Sequence, residues 1–137
     1  MTELQKAIQH FKNNDPIIFS FYKKGIIKEL KPIKKEQYFL SLCESIVYQQ
    51  LSGKAAQTIY SRFEKLFSKK QITPRKILNM PDDKLRSVGL SQQKSKYIKD
   101  LAQHVQGKSL DFNDFEKLSN EEILNKLVQV KGIGPWT

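Results

Sequence analysis

Gly132 and Gly134 stand one residue apart, between a leucine-rich segment and Pro135-Trp136-Thr137. Glycine permits positive φ and leaves no side chain in the way, so such a turn can press its backbone against another backbone. Pro135 suits the first turn of a following helix, where its missing N–H does no harm. The N–H groups of Ile133, Gly134 and that helix start could then hydrogen-bond a phosphate oxygen, helped by the helix dipole. Contacts of this kind hold a phosphate backbone without reading sequence. A Gly-x-Gly spacing alone does not decide the matter, because helices commonly end on glycine. Lys131 beside the turn and the distant Lys54 could add salt-sensitive attraction; a solvated surface lysine is the plain alternative for each.

Other side chains capable of chemistry are few. Cys43 is the only cysteine, so no internal disulfide can form, and its place in an apolar stripe reads as a small buried hydrophobe. His10 and His104 lie too far apart in sequence for zinc-ligand spacing. Glu121 and Glu122 sit where helix capping explains them, and Asp111, Asp114 and Glu116 form a helix-start pattern. None of these acids is assigned a catalytic role. Lysine and arginine number 24 against 14 acidic residues, a formal charge of +10. That excess points to a polyanion, either nucleic acid or an anionic membrane surface, with a solvated cationic surface as the simpler reading. Residues 1–12 lack the apolar core of a secretion signal, and Ile17-Ile18-Phe19 is too short to span a bilayer. The expectation is a soluble intracellular protein.

The elements that must position these groups read as helices. Stripes with i, i+3, i+4 spacing run through Tyr38–Val47, Ala55–Phe67, Tyr97–Val105 and Ile123–Val128, each expected to face a core. Asp15-Pro16 and Thr73-Pro74 place a capping side chain before a proline at the first helical position. Pro81, with Asp82 and Asp83, reads as another first turn. Ser119 and Glu122 form a capping box, and Ser52 and Ser91 each precede a helical run. The segment Gly25-Ile26-Ile27-Lys28 is the weakest helical region, and no alternating strand is evident. The expected fold class is all-α, a single domain over 1–137 of short packed helices.

With these elements placed, Leu127–Thr137 resembles the helix-hairpin-helix of the DNA glycosylase superfamily. The branch it is most similar to is the 3-methyladenine DNA glycosylase II type. Ile46-Val47-Tyr48-Gln49-Gln50-Leu51-Ser52-Gly53-Lys54-Ala55-Ala56 resembles that branch's signature. Gly89-Leu90-Ser91, with Lys94, Tyr97, Ile98 and Leu101-Ala102, resembles its middle helix. The resemblance covers about Glu36 to Thr137, leaves no room for the N-terminal β domain of some members, and makes 1–137 an incomplete glycosylase domain ending inside the hairpin motif.

The resemblance implies base-excision repair by a monofunctional glycosylase that flips alkylated purines, 3-methyladenine or 7-methylguanine, out of double-stranded DNA and hydrolyses the N-glycosidic bond. It makes Gln50 the plug that fills the emptied stack, where the residues alone allow an exposed helix-terminal glutamine. Leu51 is expected in the core, with a possible part in the wedge. Ser52 is expected as a helix cap that can also touch DNA. Trp136 becomes a wall of the base pocket, where stacking and cation–π attraction suit a cationic alkylated base; a core tryptophan is the alternative. Strand-cutting relatives have a nucleophilic lysine at this position, so Trp136 implies water as nucleophile. DNA-backbone contacts fall to Ser52, Lys131, Gly132, Ile133 and Gly134. The catalytic aspartate is expected beyond Thr137, so no catalytic residue lies in this chain and it is expected to be inactive alone. No cofactor is required; a monovalent cation could sit on the carbonyls of Val128, Val130 and Gly132. The expected state is a monomer, in the cytoplasm or nucleoid of a bacterium or the nucleus of a eukaryote. The competing readings are a noncatalytic helix-hairpin-helix DNA-binding module and a helical interaction domain with incidental charge.

Overall fold

The computed structural model describes residues 1–137, apart from the side chain of Lys70. Every regular element among the described residues is a helix, with no strand among them. No helix is long and apolar enough to cross a membrane. Where the sequence suggests one domain, the chain groups into two compact units, Met1–Ile33 and Lys34–Thr137. Residues 28–34 at their boundary are exposed and carry no helix, and Gly25 takes positive φ just after the last helical turn of the first unit.

The first unit is a helical pair. α1 (Glu3–Asn14) starts on a capping box between Thr2 and Gln5. Asp15 ends it and at the same time caps α2 (Pro16–Lys23), its carboxylate accepting the N–H groups of Ile17 and Ile18 at 3.1 and 3.0 Å. Leu4, Ile8 and Phe11 of α1 surround a small apolar space with Ile18, Phe19 and Tyr22 of α2.

The second unit holds six helices: α3 (Tyr38–Tyr48), α4 (Gly53–Lys65), α5 (Pro74–Leu78), α6 (Asp82–Arg86), α7 (Gln92–Gln106) and α8 (Asn120–Leu127). α7 is the organising element, packing against α3, α5 and α6. The core gathers Cys43, Ile46 and Val47 from α3, Phe63 from α4, and Ile98, Leu101 and Ala102 from α7, all fully buried. Val130 and Ile133 join it from the turn after α8, so the hairpin is rooted in the core by two side chains. Burial pushes the Cys43 thiol well above its usual range, which suits a packing residue and not a nucleophile.

The caps stand where the sequence places them. Ser52, Thr73, Ser91 and Ser119 each accept an N–H from the first turn that follows. Pro81 sits one position earlier than expected, as the N-cap of α6, and Asp82 begins the helix. The fourth stripe departs further. α8 has no buried residue: Leu127 packs against the core, while Leu124 and Val128 are exposed. At eight residues, α8 lays only one narrow edge on its neighbours.

Little else holds the start of α8, so its cap carries weight. The Glu122 carboxylate accepts from the N–H and hydroxyl of Ser119, both at 2.8 Å, and the first of these holds its pKa below the usual carboxylate range. We expect Ser119→Ala to cost about 1 kcal/mol in urea denaturation. The folded-state pKa of Glu122 is depressed, so its contribution is present at neutral pH and is lost as pH falls through that lowered value. The stability gap between the natural chain and Glu122→Gln should therefore close in acid.

Candidate nucleic-acid interface

The hairpin is built from tight turns after α8. Val130 N–H donates to Leu127 O at 3.1 Å, and Ile133 N–H donates to Val130 O at 3.1 Å. Gly132 adopts φ +85°, and a Cβ there would lie only 2.2–2.6 Å from atoms of the Tyr97 ring. Backbone and ring are thus in direct apposition, and only glycine permits it. Asp100, three residues along α7 from Tyr97, accepts the Lys131 N–H on Oδ2 at 2.8 Å. Beyond the hairpin, Thr137 N–H donates to Gly134 O at 3.0 Å and Gly134 N–H donates to the Thr137 hydroxyl at 3.1 Å. This is half of a capping box, with Pro135 at the first helical position.

These bonds revise the expected phosphate donors. The Ile133 N–H is committed inside the turn and its side chain is buried, so it offers nothing to a ligand. The Gly134 N–H is shared with an exposed hydroxyl. The N–H groups of Gly132 and Trp136 have no partner among the described residues. Gly134 does not use the positive φ that glycine permits, and a Cβ there would meet nothing. Trp136 is fully exposed.

A second turn stands opposite. α3 ends at Tyr48; Gln49 follows at φ −53°, ψ 129°, and Gln50 at φ +56°. Leu51 N–H closes the loop on Tyr48 O at 3.3 Å. This is the pattern of a type II turn, whose third position favours glycine or asparagine. Gln50 occupies it instead and projects from the tip, exposed. Leu51, expected in the core, is 39% exposed, because the turn carries it past the end of α3 and away from the interior. Ser52 is exposed and caps α4, its hydroxyl accepting the Ala55 N–H at 3.4 Å.

One side chain joins the two turns. Gln49 Nε2 donates to Gly132 O at 2.6 Å and reaches the Thr137 hydroxyl at 3.4 Å. Between them lies a cavity of about 690 Å³ bordered by Tyr48, Gln50, Tyr97, Trp136 and Thr137.

A helix-hairpin rooted in the core, facing a glutamine-tipped turn across a cavity, is matched by one family model. Residues 43–132 fit the HhH-GPD superfamily base excision DNA repair protein model. The chain belongs to the HhH-GPD superfamily. It is 32% identical over its whole length to DNA-3-methyladenine glycosylase 1 of Schizosaccharomyces pombe, of which it spans 61%. It is 34% identical to DNA-3-methyladenine glycosylase of Saccharomyces cerevisiae, with 96% of this chain and 49% of that one covered. The fold is similar to the structure of the S. pombe 3-methyladenine DNA glycosylase in complex with abasic DNA. That likeness has a TM-score of 0.81 at 30% identity and covers 96% of this chain and 65% of that one.

Within this HhH-GPD chain, four residues that hold the site went unassigned in the sequence reading: Gln49, Lys94, Tyr97 and Asp100. In sequence Tyr97 belongs to an apolar helical stripe, and Asp100 belongs to no motif. Their partners lie 31 to 83 residues away, and no local pattern marks such pairs. Of the three carbonyls considered for a cation, Val130 O already accepts the Ile133 N–H and Gly132 O accepts Gln49. No cluster of metal-binding side chains occurs among the described residues.

The two glycines should separate cleanly on substitution. Gly132→Ala is expected to cost about 1–3 kcal/mol from overpacking against Tyr97, with left-handed strain of about 1–2 kcal/mol added. Gly134→Ala should stay within about 0.5 kcal/mol of the natural chain. Thermal unfolding followed by circular dichroism tests both; equal losses would refute the distinction.

Proposed function

We propose that these residues are the DNA-gripping and base-opening part of a monofunctional glycosylase acting on alkylated purines, with 3-methyladenine and 7-methylguanine as substrates. The observation that carries this reading is the shared cavity. Gln50 stands at one side and the exposed Trp136 ring at the other, and the Gln49–Gly132 bond fixes their separation. A base extruded from the duplex needs both a group to fill the emptied stack and a wall to lie against. An amide at the tip of a turn can wedge between bases and hydrogen-bond to them. An indole face attracts the cationic ring of a 3- or 7-alkylated purine. The names of the relatives support the substrate class, and Trp136, where a Schiff-base lysine would stand, supports hydrolysis without strand cleavage.

Hydrolysis also needs an anion near the sugar, because departure of the base leaves oxocarbenium character. Among the described residues no carboxylate borders the cavity. Asp100 is turned to the Lys131 N–H instead. The aspartate would come from polypeptide outside these 137 residues, in keeping with relatives that are longer than this chain. The same lack of a carboxylate favours a second reading, a noncatalytic DNA-binding module. Plug, pocket and hairpin all come from one chain, so a monomer on cellular DNA suffices.

Two measurements test the proposal. The 137-residue chain should release no base from methylated duplex DNA, while the same chain extended along its reading frame should release 3-methyladenine, detected by chromatography. An extended protein that binds DNA but releases nothing leaves the binding module as the answer. In parallel, Gly134→Ala, which the fold tolerates, keeps the N–H but sets a methyl in the open space where a phosphate would approach, and should weaken duplex binding about tenfold by holding that phosphate off the backbone. Unchanged affinity would remove the hairpin from the interface.

A further inference from the structure

Lys94 is the one charged side chain beside the plug turn that the proposed function leaves without a task. It stands in the first turn of α7, where its backbone N–H donates to the Ser91 cap at 3.1 Å. Its ammonium reaches across to α3 and donates to Val47 O and to Gln49 O, both at 2.6 Å. Those carbonyls lie at the end of α3, where a helix leaves acceptors unsatisfied and where the dipole favours a cation. Gln49 O belongs to the peptide joining Gln49 to Gln50. The Gln49 bond therefore grips the peptide immediately before the one residue of the turn held at positive φ, and the Val47 bond holds the last turn of α3 behind it.

We propose that Lys94 is a positioning residue: its ammonium clamps the end of α3 so that the Gln50 turn stays in its left-handed conformation, poised for insertion into DNA. The inference rests on the reading of Gln50 as the plug. Its geometry argues against direct phosphate binding, since two of the three ammonium N–H bonds are already aimed at protein carbonyls. Burial holds the ammonium below the usual lysine range, consistent with a cation drawn away from water. Gln49 serves the neighbouring joint: its backbone carbonyl is held by Lys94 while its side chain holds Gly132. Clamp, plug and hairpin thereby form one connected unit.

A double-mutant cycle on the 137-residue chain tests this. The probe is duplex DNA with a tetrahydrofuran abasic site flanked by 2-aminopurine, whose fluorescence rises when the stack is opened. The readout is the affinity ratio of this duplex to its undamaged counterpart. Gln50→Ala should reduce the ratio about tenfold and suppress the fluorescence rise. Lys94→Met should reduce the ratio comparably, and the double variant should be no worse than either single one. Lys94→Gln, which keeps an amide donor, should fall between, and it serves as the test if Lys94→Met does not fold. Additive losses, or equal loss on undamaged DNA with a salt slope lower by about one, would make Lys94 a phosphate ligand and overturn the clamp. Loss with Gln50→Ala but none with either Lys94 variant would overturn the clamp alone. A flat Gln50→Ala result would overturn the plug, and the clamp with it.

Discussion

A helix cannot end in a protein interior without something to satisfy its last carbonyls. Helix α3 ends against α7 and the hairpin, and the donors it finds there define the site. Lys94 takes Val47 O and Gln49 O, and the Leu51 N–H takes Tyr48 O. Gln49, fixed by that arrangement, extends its own amide to Gly132 O. The same accounting of backbone groups that makes any helix stable here ties a glutamine-tipped turn to a hairpin 83 residues away.

The hairpin is held from its other side by α7. The Tyr97 ring lies directly against Gly132, and Asp100 takes the Lys131 N–H. Successive turns of one helix thus supply Lys94 to the plug turn, Tyr97 to the hairpin backbone and Asp100 to its entry. Because α7 also lies in the core, through Ile98, Leu101 and Ala102, the Gln50 turn and the hairpin are both anchored to a fully buried part of the unit. Sites carried on such elements keep their geometry better than sites on loops alone.

This arrangement explains what the sequence discloses and what it hides. The caps at Ser52, Thr73, Ser91 and Ser119 are legible because each is a bond across three residues, and the stripes because helical periodicity is local. The hairpin and the Gln50 turn are legible as motifs. The bonds that join them are not, because nothing near Gln49 announces Gly132 and nothing near Lys94 announces Val47. Leu51 misleads for a related reason: hydrophobicity argues for burial, but a turn with positive φ at Gln50 redirects the chain just before it. Ile133 misleads oppositely. Its N–H sits in a glycine-flanked turn of the right kind, yet the turn spends that donor on its own carbonyl at Val130.

The conformation of Gln50 decides how these parts should be weighed. A non-glycine residue held at left-handed φ costs about 1–2 kcal/mol. A turn with that cost relaxes unless its surroundings over-determine it. Hydrogen bonds to a charged group contribute about 1.5–3 kcal/mol each, less where water reaches them, as it does in part at Lys94. Two such bonds at the end of α3, one of them on the peptide adjoining Gln50, would sum to about 3–6 kcal/mol before that reduction, enough to offset the strain. Glycine at position 50 would fold with less strain but would carry no side chain to the tip. The chain instead keeps an amide there and holds it from behind with an ammonium. A side chain held in this way stands at the tip of its turn already shaped, so a partner need not restrain it on binding.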